Sequence, residues 1–504
     1  MARLSYAFGP FTLDPAAGVL QREGEILAVG QRATALLRIL IEAEGQPVTK
    51  DRLLAEAWPG LFVEEANLSV QVASLRKALG KAPDGDEWIA TVPRVGYRLA
   101  HPGPASPPAT QIRPAIAVLP FESLSADAAD TYFADGVVEG ITSALSRFRG
   151  FAVVARHAAR ALSPTDLPRA RDELGVRYVL AGSVRRQGQR VRVSARLVDT
   201  SSMAQLWSTH LDGSLEDLFA FEDRITEEVV GLVEPEIRKA EIERARSKRP
   251  GSLDAYDLYL RALPLFRGTT PETRREAIRL LEDAVALDPG FSTAIAYLAW
   301  AYERQDTFGS GMTAAERARA LELAERAIEH DSDDALVLSI AALVLLNVGG
   351  QPERSLAMFR RAFDANPNNA TVIALTAFAN VMVGDLAFGR ECFLRGLRVA
   401  PGSLENYETL VGVGLSHILA GEFEPAADWA LRSLASNPDW LGAYWTLAAA
   451  YGHLGRSDEA RAVIAQLLQR APHMRLADIE RRGERYAERY SILVEGLRKA
   501  GLPA

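Results

Sequence analysis

The residues best suited to chemistry in this 504-residue chain lie on one short stretch of helical period. At 100° per residue, Leu68, Val72, Leu75 and Leu79 form a narrow apolar stripe within residues 65–79. Val70, Ser74, Lys77 and Lys81 then point the other way, with Gln71 and Ala73 on the flanks. A methyl-bearing side chain, small polar groups and cations are types that can reach base edges and phosphates in a major groove. The same pattern also suits an ordinary amphipathic surface helix. A second set of cations follows. Residues 88–99 read as two short strands around a tight turn, with Arg94 at its tip and Arg98 beside it.

These side chains need a scaffold. Strand-like pieces at residues 6–13, 18–22 and 25–28 are separated by turn residues. Residues 33–41 are apolar at helical spacing. Thr49 can N-cap a second helix over 50–58, which Pro59 and Gly60 stop. The third helix, 65–79, has an acidic first turn that suits the helix dipole, and Gly80 ends it.

Two motifs in this order, Asn67-Leu68-Ser69-Val70-Gln71-Val72-Ala73-Ser74-Leu75-Arg76-Lys77-Ala78-Leu79 and Thr91-Val92-x-x-x-Gly96-Tyr97-Arg98, follow a small N-terminal sheet. Together they resemble the OmpR/PhoB-type winged-helix family over about residues 5–100. The resemblance implies a recognition helix in the major groove of double-stranded DNA, a wing on the backbone or minor groove, and tandem or dimeric binding on direct repeats. The residues it places at DNA are Thr49, Val70, Gln71, Ser74, Arg76, Lys77, Arg94, Tyr97 and Arg98. Ala73 and Ser74 stand where many members carry arginine. Residues 1–100 hold 11 Lys and Arg against 12 Asp and Glu. Weak intrinsic affinity and a shifted base preference are expected, because phosphate contacts dominate nucleic-acid affinity. The chain opens with this unit, not with a receiver domain, so control is expected from the C-terminal regions.

Composition bounds the rest. With 48% hydrophobic and 24% charged residues, the chain is neither disordered nor a disulfide scaffold. A net charge of −8 excludes a chain-wide basic field, so any nucleic-acid site is a local patch. Cys392 is the single cysteine, which excludes an intramolecular disulfide and fits a reducing compartment. The N-terminus has no signal-peptide layout. The longest apolar stretch, 335–350, is shorter than the roughly 20 residues of a spanning helix and contains Ser339 and Asn347. No membrane contact and a cytoplasmic location are expected.

Residues 101–113 read as a proline-rich linker. Beyond it, strand-like and helix-like segments alternate to about residue 245: strands at 116–121, 151–155, 178–186, 190–199 and 204–211, and helices at 130–148 and 167–175. Ile116-Ala117-Val118-Leu119-Pro120-Phe121, Tyr132-Phe133-Ala134-Asp135-Gly136 and Tyr178-Val179-Leu180-Ala181-Gly182-Ser183-Val184 resemble the TolB-N-like domain of bacterial regulators, over 114–245. That implies a binding or assembly module. Arg190, Arg192 and Arg196 suit a solvated strand face, or else an acidic partner. Asp135 reads as a turn or helix-start residue. Residues 236–249, densely charged, read as a solvated helix.

From residue 254 the chain repeats. Pro367, Pro401, Pro438 and Pro472 are spaced by 34, 37 and 34 residues. Small residues and Gly384, Gly421 and Gly455 recur in the same frame. The pattern resembles the tetratricopeptide (TPR) family, whose period is 34 residues, over 254–472. It implies stacked helix pairs and a groove for a protein or peptide partner, with Asn380, His417, Tyr444 and Tyr451 on the first helices of their pairs. A 43-residue step before Ser332 suggests a lengthened loop at 307–311. Residues 473–504 read as capping helices.

The expected fold is therefore multidomain: a winged helix-turn-helix (α+β), an α/β TolB-N-like domain, and an all-α TPR solenoid. No P-loop, G-x-S-x-G, H-E-x-x-H or Cys/His metal spacing occurs, so no enzyme, cofactor or metal is expected. The resemblances together imply a one-component bacterial transcriptional regulator similar to HilA-like proteins, distinct from CadC- and ToxR-like ones in lacking a membrane helix at 101–115. The alternative is a TPR scaffold whose winged helix binds protein.

Overall fold

The computed structural model describes residues 6–504 except 9–10, 15–18, 23–24, 28, 44–46, 59–62, 64, 82–86, 93–94, 101–112, 125–127, 161, 164, 215–217, 250–252, 268–269, 309–310, 402–405 and 484–485. The chain divides into two compact units, residues 1–111 and 112–504. The proline-rich linker lies outside the described residues.

In the first unit, β1 (Tyr6–Phe8), β2 (Phe11–Asp14), β3 (Val19–Arg22) and β4 (Glu25–Leu27) form an antiparallel meander. The single strand expected over 6–13 is thus two strands paired with each other, Tyr6 opposite Leu13. Helix α1 (Gln31–Glu42) follows, then β5 (Val48–Thr49), α2 (Lys50–Ala57), α3 (Glu65–Leu79), β6 (Ile89–Val92) and β7 (Gly96–Leu99). The last three strands pair in the order β5-β7-β6. Thr49 caps α2 as expected, its hydroxyl accepting from the Arg52 amide at 3.3 Å. One core joins Phe11, Leu13 and Leu20 of the meander to Leu36, Leu37 and Leu40 of α1 and to the α3 stripe.

The second unit begins with β8 (Ala115–Val118), β9 (Glu122–Ser123), α4 (Ala128–Leu145), β10 (Ala152–Val153), α5 (Arg156–Ala159) and α6 (Leu167–Leu174). Three long strands follow, β11 (Tyr178–Gln187), β12 (Arg190–Asp199) and β13 (Ala204–Ser214), then the 30-residue α7 (Leu218–Ser247). The sheet runs β10-β8-β11-β12-β13, parallel on the first side and antiparallel on the second, with β9 beside β11. Along β12, Val191, Val193, Ala195 and Leu197 are buried, while Arg190, Arg192 and Arg196 face solvent. Arg192 pairs with Asp212 at 2.6 Å, so that row is a solvated strand face.

Two expectations are corrected here. Asp135 lies inside α4, where it pairs with Arg156 at 2.9 Å. The charged stretch 236–249 is not a solvated helix. It continues α7, with Ile237, Glu241 and Ala245 buried. Glu241 is tolerated because Tyr178 donates to it at 2.7 Å and Arg244 at 2.6 Å.

Repeats follow as α8 (Ala255–Ala262), a short 3-10 helix (Leu263–Arg267), α9 (Pro271–Leu287), α10 (Ser292–Phe308), α11 (Ala314–His330), α12 (Ala335–Asn347), α13 (Pro352–Ala365) and α14 (Ala370–Val383). They continue as α15 (Leu386–Val399), α16 (Asn406–Leu419), α17 (Phe423–Ser436), α18 (Leu441–His453), α19 (Ser457–Arg470), α20 (Leu476–Gly483) and α21 (Ala487–Lys499). The helices pair in sequence as a TPR-like solenoid. The long step before Ser332 is mostly helix rather than loop, since α10 and α11 have 17 residues each against 13 and 14 in α12 and α13.

The C-terminal helices do more than cap the array. Gly452 of α18 and Gly496 of α21 allow so close a crossing that a Cβ on Gly452 would lie 2.2 Å from the Gly496 carbonyl. From there α21 reaches α14, where Arg489 donates to the carbonyls of Val381 (2.9 Å) and Gly384 (2.7 Å). The Tyr486 hydroxyl donates to Asn347, at the end of α12.

Candidate nucleic-acid interface

Helix α3 presents the face its spacing requires. Leu68, Val72, Leu75 and Leu79 are buried, whereas Val70, Ala73, Ser74, Lys77 and Lys81 are exposed and Gln71 is half-buried. Val70 is 62% exposed, an uncovered apolar side chain in the middle of a polar face. Gly80, at φ +70°, ends the helix in the left-handed conformation.

The hairpin β6–β7 is fastened to this helix from below. Arg76 donates through Nε (2.9 Å) and Nη2 (2.7 Å) to the Ile89 carbonyl, and through Nη2 (2.8 Å) to the Thr91 hydroxyl. Its guanidinium also lies 5.9 Å from the Tyr97 ring centre. Tyr97 is only 8% exposed, with its hydroxyl 3.5 Å from Ser69 Oγ. The two residues thus sit at the helix–hairpin junction. Gly96 is required there, since a Cβ would fall 2.0 Å from the Val48 carbonyl.

The cations differ in availability. Lys81 pairs with Glu87 at 2.9 Å, and that contact draws the Glu87 carboxyl below the usual range. Lys77 and Arg98 are exposed and make no ion pair among the described residues. Thr49 is exposed at the start of α2. Arg94 lies outside the described residues. The arrangement offers a solvent-facing strip with one methyl-bearing contact, two hydrogen-bonding side chains and two available charges. The sequence pattern found the strip. It gave no sign of the clamp, whose acceptor is a backbone carbonyl 13 residues from Arg76.

The four groove candidates on the repeats are engaged locally. The His417 ring bonds to Glu422 at 2.5 Å, and Tyr444 donates to the Pro438 carbonyl at 2.8 Å. The Asn380 amide donates to the Thr376 carbonyl at 2.9 Å, and Tyr451 lies under Arg456. No helix of the described residues is long and apolar enough to cross a membrane. Among the same residues no group of three or more His, Cys, Asp or Glu could hold a metal.

Residues 24–99 match the family described as transcriptional regulatory protein, C terminal. Residues 112–228 match the HilA/YgeH-like transcriptional regulator, second domain. The chain therefore carries an OmpR/PhoB-type DNA-binding domain followed by a HilA-like second domain. It is similar to a putative adenylate cyclase 3 of Rhizobium meliloti, with 36% identity over 231 residues, 45% of this chain and 39% of that protein. It is similar to the transcriptional regulator HilA of Salmonella paratyphi A, with 23% identity over 350 residues, 67% of this chain and 60% of that one. The matches thus cover less than two thirds of either relative. Among solved structures, the DNA-binding domain of E. coli CadC is similar at 27% identity, covering 19% of this chain and 94% of that one with a TM-score of 0.18.

Proposed function

We propose that this protein is a one-component bacterial transcriptional regulator that reads double-stranded DNA with α3. The observation that carries the reading is the exposed strip of Val70, Ser74 and Lys77, held in fixed relation to Arg98 by the Arg76 clamp. Val70 suits a thymine methyl, Gln71 and Ser74 suit base edges, and Lys77 and Arg98 suit phosphates. Thr49 and Arg94 are further contacts in this reading, whereas Arg76 and Tyr97 position the hairpin. The protein acts in the cytoplasm, as a pair on direct repeats, and its second unit carries control through the HilA-like domain and a protein-binding TPR array. It is not an enzyme; the cyclase name belongs to the relative.

Selection from randomised duplex DNA with the full chain tests the reading. A defined motif is expected, altered by Gln71→Ala and by Ser74→Ala. The alternative, a scaffold whose winged helix binds protein, is favoured by the balance of 11 cations against 12 acids over residues 1–100. A flat selection with no enriched sequence at any salt would establish that alternative.

A further inference from the structure

The first helices of successive pairs, α10, α12, α14, α16 and α18, surround a cavity of about 490 Å³, closed on one side by residues of α20 and α21 and by Tyr486. That volume is in the range of sites for small organic molecules. Aromatic side chains contribute to its wall, among them Trp300, Phe378, Phe393, Trp440, Trp445 and Tyr490, beside aliphatic and charged ones.

Charge is distributed unevenly inside it. Each of the three lining arginines has a carboxylate partner: Arg304 with Glu408 at 3.2 Å, Arg317 with Asp306 at 3.5 Å, and Arg481 with Asp478 at 3.3 Å. Glu303 is different. It is 3% exposed and makes no ion pair among the described residues. The Thr307 hydroxyl (2.7 Å) and the Asn347 amide (2.8 Å) both donate to its Oε1. Its Oε2 makes no hydrogen bond among the described residues. Burial pushes its carboxyl above the ordinary range, against the donations from Thr307 and Asn347 and the charge of Arg304, which is itself bonded to Glu408. Asn347, in turn, accepts from Tyr486 of the closing segment.

We propose that this cavity binds a small organic cation with an aromatic or other flat apolar body, its ammonium group against Glu303. An ammonium supplies the direct ion pair that Glu303 lacks among the described residues, and the aromatic side chains favour a cation over a neutral or anionic isostere, as Arg304 already shows by lying 5.7 Å from the Trp300 ring centre and 5.8 Å from that of Trp440. A carboxylate ligand would find its potential partners already neutralised and would add a second acid beside Glu303. The site lies within the second unit and does not depend on DNA recognition.

The full chain is titrated with phenethylammonium, 2-phenylethanol and phenylacetate, following tryptophan fluorescence and calorimetric heat. Saturable binding of phenethylammonium is expected, at least tenfold tighter than the alcohol, with phenylacetate weaker still. Glu303→Gln keeps an acceptor for Thr307 and Asn347, and should lower phenethylammonium affinity about tenfold while leaving the alcohol unchanged. Equal binding of all three probes, preference for phenylacetate, or no saturable binding of the ammonium overturns the proposal. The three-probe comparison on the unaltered chain decides the matter even if the variant does not fold.

Discussion

Arg76 of α3 grips the carbonyl of Ile89 in β6 with two nitrogens, Nε at 2.9 Å and Nη2 at 2.7 Å. Helix α3 and the β6–β7 hairpin are thereby set as one body, and in the proposed reading a mobile hairpin would deliver Arg98 to no fixed place. Arg76→Ala leaves a backbone acceptor without its donor and should cost about 1–3 kcal/mol of first-unit stability. Arg76→Lys should fail to restore it, because a single ammonium cannot reproduce the fork. Thermal melts and DNA titrations of both variants check this. Wild-type DNA affinity in Arg76→Ala would mean that the clamp has no bearing on binding.

The three outward cations should separate in salt. Each phosphate contact contributes roughly one unit to the slope of log affinity against log salt. Lys77→Ala and Arg98→Ala are each expected to lower that slope by about one. Lys81→Ala should change it less, because Lys81 already pairs with Glu87 at 2.9 Å. Binding titrations between 50 and 200 mM salt, on the order used for such slopes, give the comparison. An equal or larger change for Lys81 would place the contact surface further along the chain than proposed.

Asp199, at the end of β12, should make the second unit sensitive to acid. Burial would raise its carboxyl, but hydrogen bonds from the Ser201 side chain and backbone, and the guanidinium of Arg177, hold it below the usual carboxylate range. A depressed folded value stabilises the fold above the ordinary carboxylate range, and the contribution is lost as pH falls through that folded value. Asp199→Asn should therefore cost about 1–2 kcal/mol at neutral pH, with the difference from wild type shrinking as the solution is acidified. Denaturant melts across pH show it. A constant difference from pH 7 downward would mean that the charge is not what matters.

Much of this was readable from local period. The α3 stripe, the Thr49 cap, the Gly80 stop and the repeating prolines are set by neighbours within a few residues, and sequence spacing reports such neighbours directly. Contacts across the fold were not readable in that way. Glu241 looked solvated because it sits in a run of charges, but its partner Tyr178 is 63 residues away. Nothing in the local sequence around Glu303 marks it as buried. Its surroundings include Asn347 in the next pair, which donates to it and accepts from Tyr486 of the closing segment, both remote in sequence. Membership of a repeat helix does not determine rotation about its axis, so the spacing of Asn380, His417, Tyr444 and Tyr451 does not fix which of them face a groove.

The middle region and the repeats are not separable modules in the structure, and Gly231 shows why. It lies on α7 where α15 crosses, and a Cβ there would sit 2.0 Å from the Val399 carbonyl. Arg395 of α15 pairs with Glu227 of α7 at 2.8 Å beside it. The Asn366 amide, after α13, donates to the Arg147 carbonyl at 3.2 Å. A methyl group cannot be accommodated against backbone without moving one helix, so Gly231→Ala should destabilise the second unit by about 1–3 kcal/mol. Gly150→Ala, where a Cβ meets nothing within 4 Å, should be neutral and serves as the control. Neither change should shift the melting of residues 1–111, which form their own compact unit. By the same reasoning, removing residues 254–504 should leave the DNA-binding unit folded but uncover the α7 surface that α8 and α15 bury, so the remaining middle region should lose cooperative melting. Calorimetry on the full chain, the two glycine variants and the truncated chain distinguishes the cases. A truncated middle region that melts as sharply as before, together with a silent Gly231→Ala, would show that the two parts fold independently after all.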